Sequence, residues 1–291
     1  MIELTTARAM REWSREARAA GRRVAFVPTM GFLHEGHLRL VDRGREMADV
    51  IVVSVFVNPT QFGPADDFDR YPRDLSGDRR AAAARRVDCL FAPDTAEMYP
   101  GPQVVGIAPG PLADHLCGPH RPGHFAGVLL VVAKLLHIVE PDVAVFGRKD
   151  AQQARLVERM ALDLNFPVEI EVLPTVREAD GLALSSRNAY LSTADRAGAA
   201  AIPRALAAAH AVHVRGERRA EAIIAAARAE LESVVGLHVD YVELVDPDAL
   251  TPVAHAADTT VLAVAAHLGG TRLIDNIVIG RGLDGDIRLD P

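Results

Sequence analysis

The chain has 291 residues, of which 49% are hydrophobic and 24% charged, and its formal net charge at pH 7 is −7. This composition is typical of a folded globular protein and excludes a wholly disordered chain. A negative chain lacks the basic face that nucleic-acid binding requires, so we expect no nucleic-acid partner. The two cysteines, Cys89 and Cys117, are too few for a disulfide framework or a four-thiolate zinc site, and we expect reduced thiols.

The N-terminal residues contain no long apolar segment of the kind that signal peptides have, and no later stretch has the roughly 20 apolar residues needed to span a bilayer. We therefore expect a cytoplasmic protein with no membrane partner. Among its 32 basic residues only Lys134 and Lys149 are lysines. Because arginine is the default cation of this chain, these positions indicate a need for a compact, flexible ammonium group.

The hydrophobic pattern predicts an amphipathic helix over residues 6–20 and a buried strand over 24–27 that ends at Pro28. A turn over 29–36 and a helix over 37–47 follow, and then a strand over 50–57 that is apolar on both faces, as central parallel strands are. The next predicted elements are a helix over 79–86, a strand over 89–92, a loop over 118–123, a helix over 127–139, a strand over 143–146, a helix over 150–164 and a strand over 168–173. This alternation predicts an α/β fold with a Rossmann-like parallel sheet.

The pattern changes after Pro174. Residues 194–234 are Ala-rich and helical with a break at 215–216, and the segments 239–245, 260–267 and 271–279 alternate like antiparallel strands. We therefore predict two domains, a nucleotide-binding domain over residues 1–175 and a smaller α+β domain over residues 176–291.

Three polar clusters carry the chemistry, and two of them follow predicted parallel strands, where such sheets bind ligands. In the first, His34 and His37 lie three residues apart at the start of a helix, and Gly36 permits close backbone approach. Helix N-termini and imidazole N–H groups both suit phosphate. Two plain surface histidines remain an alternative, as does a zinc site whose third ligand is unassigned.

The second cluster is FGRKDAQQ at 146–153. Gly147 permits a tight strand-to-helix turn, Lys149 suits a phosphate, Asp150 caps the helix or accepts a bond from a ribose hydroxyl, and Gln153 both donates and accepts. The third cluster, residues 177–188, combines hydroxyls with arginine in a loop that suits phosphate, although a solvated interdomain loop has the same composition. The P-loop, the dinucleotide fingerprint and the nucleophile elbow are all absent from the sequence.

These motifs resemble, in order and at matching spacing, those of the pantothenate synthetase (pantoate–β-alanine ligase) family within the HIGH-motif nucleotidylyltransferases. The matching segments run from residue 28 to residue 277 and are PTMGFLHEGH, VNPTQF, RPGHFAGV, FGRKDAQQ, VREADGLALSSRNAYLS and RLIDNI. The resemblance implies an ATP-dependent ligase that activates pantoate as an acyl adenylate and then transfers it to β-alanine. It also implies an ATP- and pantoate-binding first domain, a second domain acting as a lid, Mg²⁺ supplied with ATP, and a homodimer.

The resemblance also implies a role for individual residues. The catalytic ones would be His34, His37, Lys149, Ser185 and Arg187. ATP would be bound by Met30, Gly31, His34, Gly36, His37, Gly147, Arg148, Lys149, Asp150, Val176, Leu184, Ser185, Ser186 and Arg187. Pantoate and β-alanine would be bound by Met30, Gln61 and Gln153, and Asp78 would be a ligand of the metal.

Four positions depart from the family pattern. Arg148 and Ala151 stand where Glu and Tyr are usual, Leu184 replaces Met, and Gly77 replaces the first of two adjacent acidic residues. Two other functions therefore stay open, a nucleotidylyltransferase acting on another substrate and an ATP-binding protein that has lost catalysis. A tRNA synthetase is disfavoured because this acidic chain has no added anticodon-binding module.

Overall fold

The computed structural model describes residues 1–64 and 66–289. The chain divides into two compact units. The N-terminal unit comprises Met1–Pro109, Arg121–Gly147 and Gln153–Leu173, and the C-terminal unit comprises Gly110–His120, Arg148–Gln152 and the residues from Pro174 onward. Two internal segments thus group with the C-terminal part of the chain. The division into a substrate-binding domain and a lid stays a prediction.

The N-terminal unit is built on a six-stranded sheet in which every neighbouring pair is parallel. Its strands in chain order are β1 (Ile2–Leu4), β2 (Val24–Thr29), β3 (Val50–Val55), β4 (Cys89–Phe91), β5 (Val143–Gly147) and β6 (Glu169–Leu173). The order across the sheet is β1-β4-β3-β2-β5-β6. Because β3 lies in the middle of the sheet and is buried on both faces, it needs the continuous β-branched run that the sequence supplies. The predicted α/β fold with a parallel sheet is confirmed.

Seven helices precede the last strand of this sheet among the described residues. They are α1 (Ala7–Ala19), α2 (Glu35–Met47), α3 (Leu75–Ala84), α4 (Thr95–Met98), α5 (Cys117–His120), α6 (His124–Val139) and α7 (Ala151–Asp163). Helix α3 begins four residues before the predicted start because the side chain of Asp74 accepts a hydrogen bond from Gly77 N and caps it there. The four-residue α5 lies where a loop was predicted.

The C-terminal unit contains a three-stranded antiparallel sheet in the order β10-β9-β8. The strands are β8 (His238–Val245), β9 (Val261–Leu268) and β10 (Thr271–Val278), close to the predicted segments. Two short strands, β7 (Val176–Arg177) and β11 (Ile287–Arg288), pair in parallel outside this sheet. Helices α8 (Thr193–Ala199), α9 (Ala201–Val214) and α10 (Ala220–Glu232) share an apolar core with the sheet.

Both cysteines are buried free thiols. Within residues 1–64 and 66–289, no helix is long and apolar enough to cross a membrane.

Candidate active site

The turn after β2 requires a glycine. Gly31 has a φ of 84°, and a Cβ at this position would lie 2.8 Å from both Asp78 Oδ2 and Val55 Cγ1. Its N–H donates to Thr29 Oγ1 at 3.1 Å, and that hydroxyl in turn donates to the Ser54 carbonyl at 2.6 Å. The side chain at position 31 must therefore be a hydrogen atom for the chain to turn from β2 into the histidine motif.

The carboxylate of Asp78 holds the next two residues of this turn. Asp78 Oδ2 accepts from Phe32 N at 3.1 Å and Asp78 Oδ1 from Leu33 N at 2.7 Å, and the residue is 2% exposed. Burial raises the pKa of Asp78 above its usual value, although the two N–H groups oppose the shift. Both oxygens serve the backbone, and the described residues include no cluster of three acidic, His or Cys side chains that fits a metal ion. The role of Asp78 as a Mg²⁺ ligand stays a prediction.

His34 and His37 form a pair at the N-terminus of α2, with ring centroids 4.0 Å apart. His34 Nδ1 accepts a hydrogen bond from Gly36 N at 3.1 Å, and His37 Nδ1 accepts one from His34 N at 3.3 Å. An imidazole whose Nδ1 accepts is neutral and carries its proton on Nε2. Both rings can therefore present an Nε2–H donor, which suits phosphate oxygens better than it suits a zinc ion.

The predicted pantoate-binding residues Met30 and Gln61 are brought together. Gln61 is 8% exposed in the turn Pro59–Gln61, and its Nε2 donates to Met30 Sδ at 3.3 Å. Its Oε1 accepts from Asn58 Nδ2 at 3.0 Å. A Cβ at Gly127 would lie 2.1 Å from the Thr60 carbonyl oxygen, so this turn packs directly on the backbone of α6. The carboxamide is thereby held in a fixed position.

The sequence patterns did not predict the residues that support Gln61 through Asn58. The Tyr99 hydroxyl donates to Asn58 Oδ1 at 2.7 Å, and Lys134 Nζ lies 5.2 Å from the centroid of the Tyr99 ring. Burial raises the pKa of Tyr99, so this phenol stays a donor at neutral pH. The sequence feature that could have indicated the contact between Lys134 and Tyr99 is Lys134 itself, one of only two lysines in an arginine-rich chain.

The motif RPGHFAGV also supports Gln61. His124 Nδ1 lies 2.8 Å from the Gln61 carbonyl oxygen, and Arg121 Nη2 lies 3.4 Å from the same oxygen. Arg121 is fixed by an ion pair with Asp66 at 2.8 Å. The backbone of Gln61 is thus held by two side chains of the segment that opens α6.

In the C-terminal unit, Arg148, Lys149 and Asp150 form one 3₁₀ turn before α7. Lys149 Nζ lies 3.8 Å from Asp150 Oδ2, and its side chain is 19% exposed. The guanidinium of Arg148 pairs with the carboxylate of Asp286. This ion pair uses Nη2 of Arg148, and the ATP contact expected of this residue stays a prediction. Asp150 was expected either to cap the helix or to accept a hydrogen bond from a ribose hydroxyl, and both roles stay predictions.

Five predicted ATP-binding residues lie on β7 and the loop that follows it. Leu184 N donates to the Val176 carbonyl at 2.9 Å, which closes a narrow hairpin around Gly181. Ser185 then caps the 3₁₀ helix Ser186–Tyr190, its Oγ accepting from Arg187 N at 3.3 Å. A hydroxyl that accepts in this way keeps its own proton for another acceptor, such as a phosphate oxygen.

One expectation around the motif FGRKDAQQ needs revision. Gly147 does not have a positive φ, so the turn itself does not require glycine; a Cβ there would meet nothing within 4 Å. The buried carboxamide of Gln152 binds the backbone of Leu112, His115 and Cys117, so it holds that segment in place. Gln153, the residue predicted to bind pantoate, is half-buried on α7 in the N-terminal unit.

Comparison with known proteins gives consistent matches over nearly the whole chain. The family model for pantoate–β-alanine ligase matches residues 3–278. A pantothenate synthetase of Geobacillus kaustophilus is 51% identical over 279 residues, which cover 96% of this chain and 93% of that protein.

Two solved structures agree with this match. The crystal structure of pantothenate synthetase from Thermus thermophilus has a TM-score of 0.90 at 44% identity, covering 96% of this chain and 99% of that one. The Francisella tularensis enzyme, complexed with β,γ-ATP and β-alanine, has a TM-score of 0.80 at 32% identity, covering 97% and 99%.

Proposed function

Since the chain belongs to the pantoate–β-alanine ligase family, we propose that it joins (R)-pantoate to β-alanine with the conversion of ATP to AMP and pyrophosphate. In the first step the pantoate carboxylate attacks the α-phosphorus of ATP, and the bond to pyrophosphate breaks. In the second step the β-alanine amine attacks the acyl carbon, AMP leaves, and the amine loses a proton as the amide of pantothenate forms.

The histidine pair carries this proposal. The attack brings an anion to a polyanion, so catalysis depends on positioning and on donors that meet the developing charge. With Nδ1 engaged by the backbone, His34 and His37 offer Nε2–H groups to the ATP phosphates. Neutral donors of this kind bind phosphate without taking up a solution proton. Neither step needs a nucleophile from the enzyme.

Other residues complete the ATP contacts. Lys149 neutralises charge on the transferred phosphate, and Ser185, Ser186 and Arg187 bind the phosphate oxygens. The open space beside Gly147 suits the adenosine. The remaining proposed contacts with the nucleotide come from Met30, Gly31, Gly36, Asp150, Val176 and Leu184.

Pantoate has hydroxyl groups and a carboxylate, and it needs neutral donors and acceptors to orient it. Gln61 and Gln153 supply carboxamides, and Met30 supplies an apolar wall beside Gln61. Because Asn58 and the segment Arg121–His124 fix Gln61, its carboxamide is preorganised.

The remaining proposals concern the setting of the reaction. Mg²⁺ enters with ATP and is held by the phosphates, since Mg²⁺ keeps several of its waters and needs few protein ligands. The protein acts in the cytoplasm as a homodimer, as the family resemblance implies. Sedimentation velocity at micromolar concentration checks the dimer, and a single monomer boundary would contradict it.

A product assay tests the function directly. Purified protein is incubated with Mg²⁺, ATP and pantoate, with and without β-alanine, and pyrophosphate and AMP are measured separately. We expect multiple-turnover AMP only when both substrates are present. Pyrophosphate without AMP would favour an adenylyltransferase for another substrate, and ATP binding without either product would favour a protein that has lost catalysis.

The role of Lys149 has its own test. Lys149→Ala removes a charge that acts in the transition state, so single-turnover pyrophosphate release should slow by about 10²-fold or more with the fold intact. Arg159→Ala, which removes an exposed cation of α7, is the matched control. Equal rates for Lys149→Ala and the control would refute the role.

A further inference from the structure

Arg177 is a fully buried arginine that binds two carboxylates. Its Nη1 and Nη2 donate to the two oxygens of Asp275 at 2.6 and 3.0 Å, and its Nε donates to Asp286 Oδ2 at 2.6 Å. Burial opposes the charged form, but the carboxylates outweigh it and raise the pKa of Arg177 above its ordinary value. This guanidinium is therefore charged, and its burial depends on both partners.

The carboxylate of Asp286 joins Arg177 to a second arginine. Its Oδ2 accepts from Arg177 and its Oδ1 pairs with Arg148, while its own side chain is 0% exposed. Asp286 immediately precedes β11, whose residues Ile287 and Arg288 pair with Val176 and Arg177 of β7. The strand pairing thus places one carboxylate between two arginines that are 29 positions apart in the chain.

Both arginines belong to segments that carry proposed catalytic side chains. Arg148 precedes Lys149, and Asn276 Nδ2 donates to the carbonyl oxygens of both at 2.9 Å. Arg177 Nη1 donates to the Gly181 carbonyl at 3.0 Å, in the hairpin that leads to Ser185. The buried ion cluster is therefore bonded to the backbone of the lysine turn and to that of the serine loop.

We propose that Asp286 is a positioning residue for adenylate formation, holding the lysine turn through Arg148 and the serine loop through Arg177. This inference rests on the proposed function for the roles of Lys149 and Ser185. It also accounts for the departure at position 148: where the family pattern has Glu, the arginine here pairs with a carboxylate from the C-terminal end of the chain. Asp286 acts through other residues and does not itself contact substrate.

Asp286→Asn tests the proposal, since it keeps the shape of the side chain and removes its charge. We expect single-turnover pyrophosphate release to slow by about 10- to 100-fold, because small displacements of a catalytic group have effects of this size. The KM for pantoate should stay within about twofold, since Gln61 is held by contacts inside the N-terminal unit. In a Lys149→Ala background the same change should cost clearly less than it does alone, because the part of its effect that acts through Lys149 is already lost.

A merely structural role would not give this pattern. Asp163→Asn, at an exposed carboxylate of α7, is the control and should leave the rate unchanged. If Asp286→Asn does not fold, Arg148→Met carries the test, since it removes one bond and leaves Arg177 paired, and it should slow the same step. Full activity in the folded variant, or losses that multiply with Lys149→Ala, would overturn the proposal.

The two proposals fail in different ways. If the unaltered protein forms no AMP from pantoate and β-alanine, the proposed function is wrong. Calorimetric titration with ATP then decides the role of Asp286. Weaker binding in Asp286→Asn than in the unaltered protein supports the positioning role, and equal binding overturns it.

Discussion

His34 and His37 each use one ring nitrogen for structure and can present the other to a substrate. Both Nδ1 atoms accept backbone N–H groups at the start of α2, which satisfies donors that every helix leaves unpaired at its first turn. The proton on each neutral ring then lies on Nε2. The cap and the proposed phosphate contact are therefore made by opposite edges of the same ring.

Two variants of His37 separate these roles. In His37→Asn the amide oxygen replaces Nδ1 and the distal donor is lost, so we expect adenylate formation to slow by about 10²-fold with little change in unfolding temperature. In His37→Gln the distal donor is kept and the cap is lost, so we expect a smaller rate loss and a stability loss of about 1 kcal/mol. Single-turnover rates and thermal unfolding measure both, and equal rate losses would contradict the division.

Asp78 also has two possible roles that one variant distinguishes. Asp78→Asn leaves one oxygen to accept from Phe32 or Leu33 and places an NH₂ group against the other N–H. We expect kcat to fall about 10-fold, because an unsatisfied buried donor displaces the turn that bears His34. The Mg²⁺ concentration at half-maximal rate should not change. A clear increase in that concentration would instead support a metal ligand at Asp78.

Cys89 should be chemically inert in the folded protein. Burial, with Asp88 nearby, raises its pKa to about 12, and the residue is 0% exposed. At pH 8 the thiolate is then about 10⁻⁴ of the population. In a Cys117→Ser background we expect a disulfide reagent to modify the thiol only as fast as the chain unfolds, with full reaction in denaturant as the control. Rapid labelling of the native protein would contradict this.

At the scale of elements, α6 and the turn Pro59–Gln61 approach each other very closely beside the residues proposed to bind pantoate. Gly127 allows it, since a Cβ there would reach the Thr60 carbonyl at 2.1 Å. In addition, Asn58 Nδ2 donates to the Gly127 carbonyl at 3.2 Å. The backbone of α6 and the turn are therefore in direct contact and hydrogen-bonded.

Gly127→Ala should disturb the contact between α6 and the turn Pro59–Gln61. Overpacking at a tight contact costs about 1–3 kcal/mol, and the added methyl group must move the turn that carries Gln61. We expect the KM for pantoate to rise about 10-fold while the KM for ATP changes little. Ala126→Gly, at the neighbouring position of the same helix, is the control for altered helix propensity. An unchanged pantoate KM would show that the turn adapts freely.

The elements that could be predicted from sequence are those whose signal is local. The run at 50–57 predicts a buried strand because its own side chains determine it, and the glycine and histidines of residues 31–37 lie in one short motif. The strand Ile2–Leu4 was missed because three residues carry too little pattern and only pairing with β4 defines it. The Tyr99–Asn58 bond links residues 41 apart, and nothing local to either residue predicts it.

The whole chain passes from one compact unit to the other five times, since residues 110–120 and 148–152 group with the C-terminal unit. A single boundary near 175 follows the change in composition but not these short crossings. Sequence patterns identify the structure of long segments. The 11 residues 110–120 and the 5 residues 148–152 are too short for this, and only the residues that they contact show which unit they belong to. Gln152 shows this, since its carboxamide binds the segment 112–117.

This interleaving limits how related enzymes can exchange parts. A chimera made with one crossover at residue 175 would give Arg148 and the carbonyl of Lys149 a foreign partner in place of Asp286 and Asn276. Inheritance of residues 110–120 and 148–152 together with the C-terminal stretch keeps those partners matched. Recombination between homologues should therefore preserve function when these three segments come from the same parent, however distant they are along the gene.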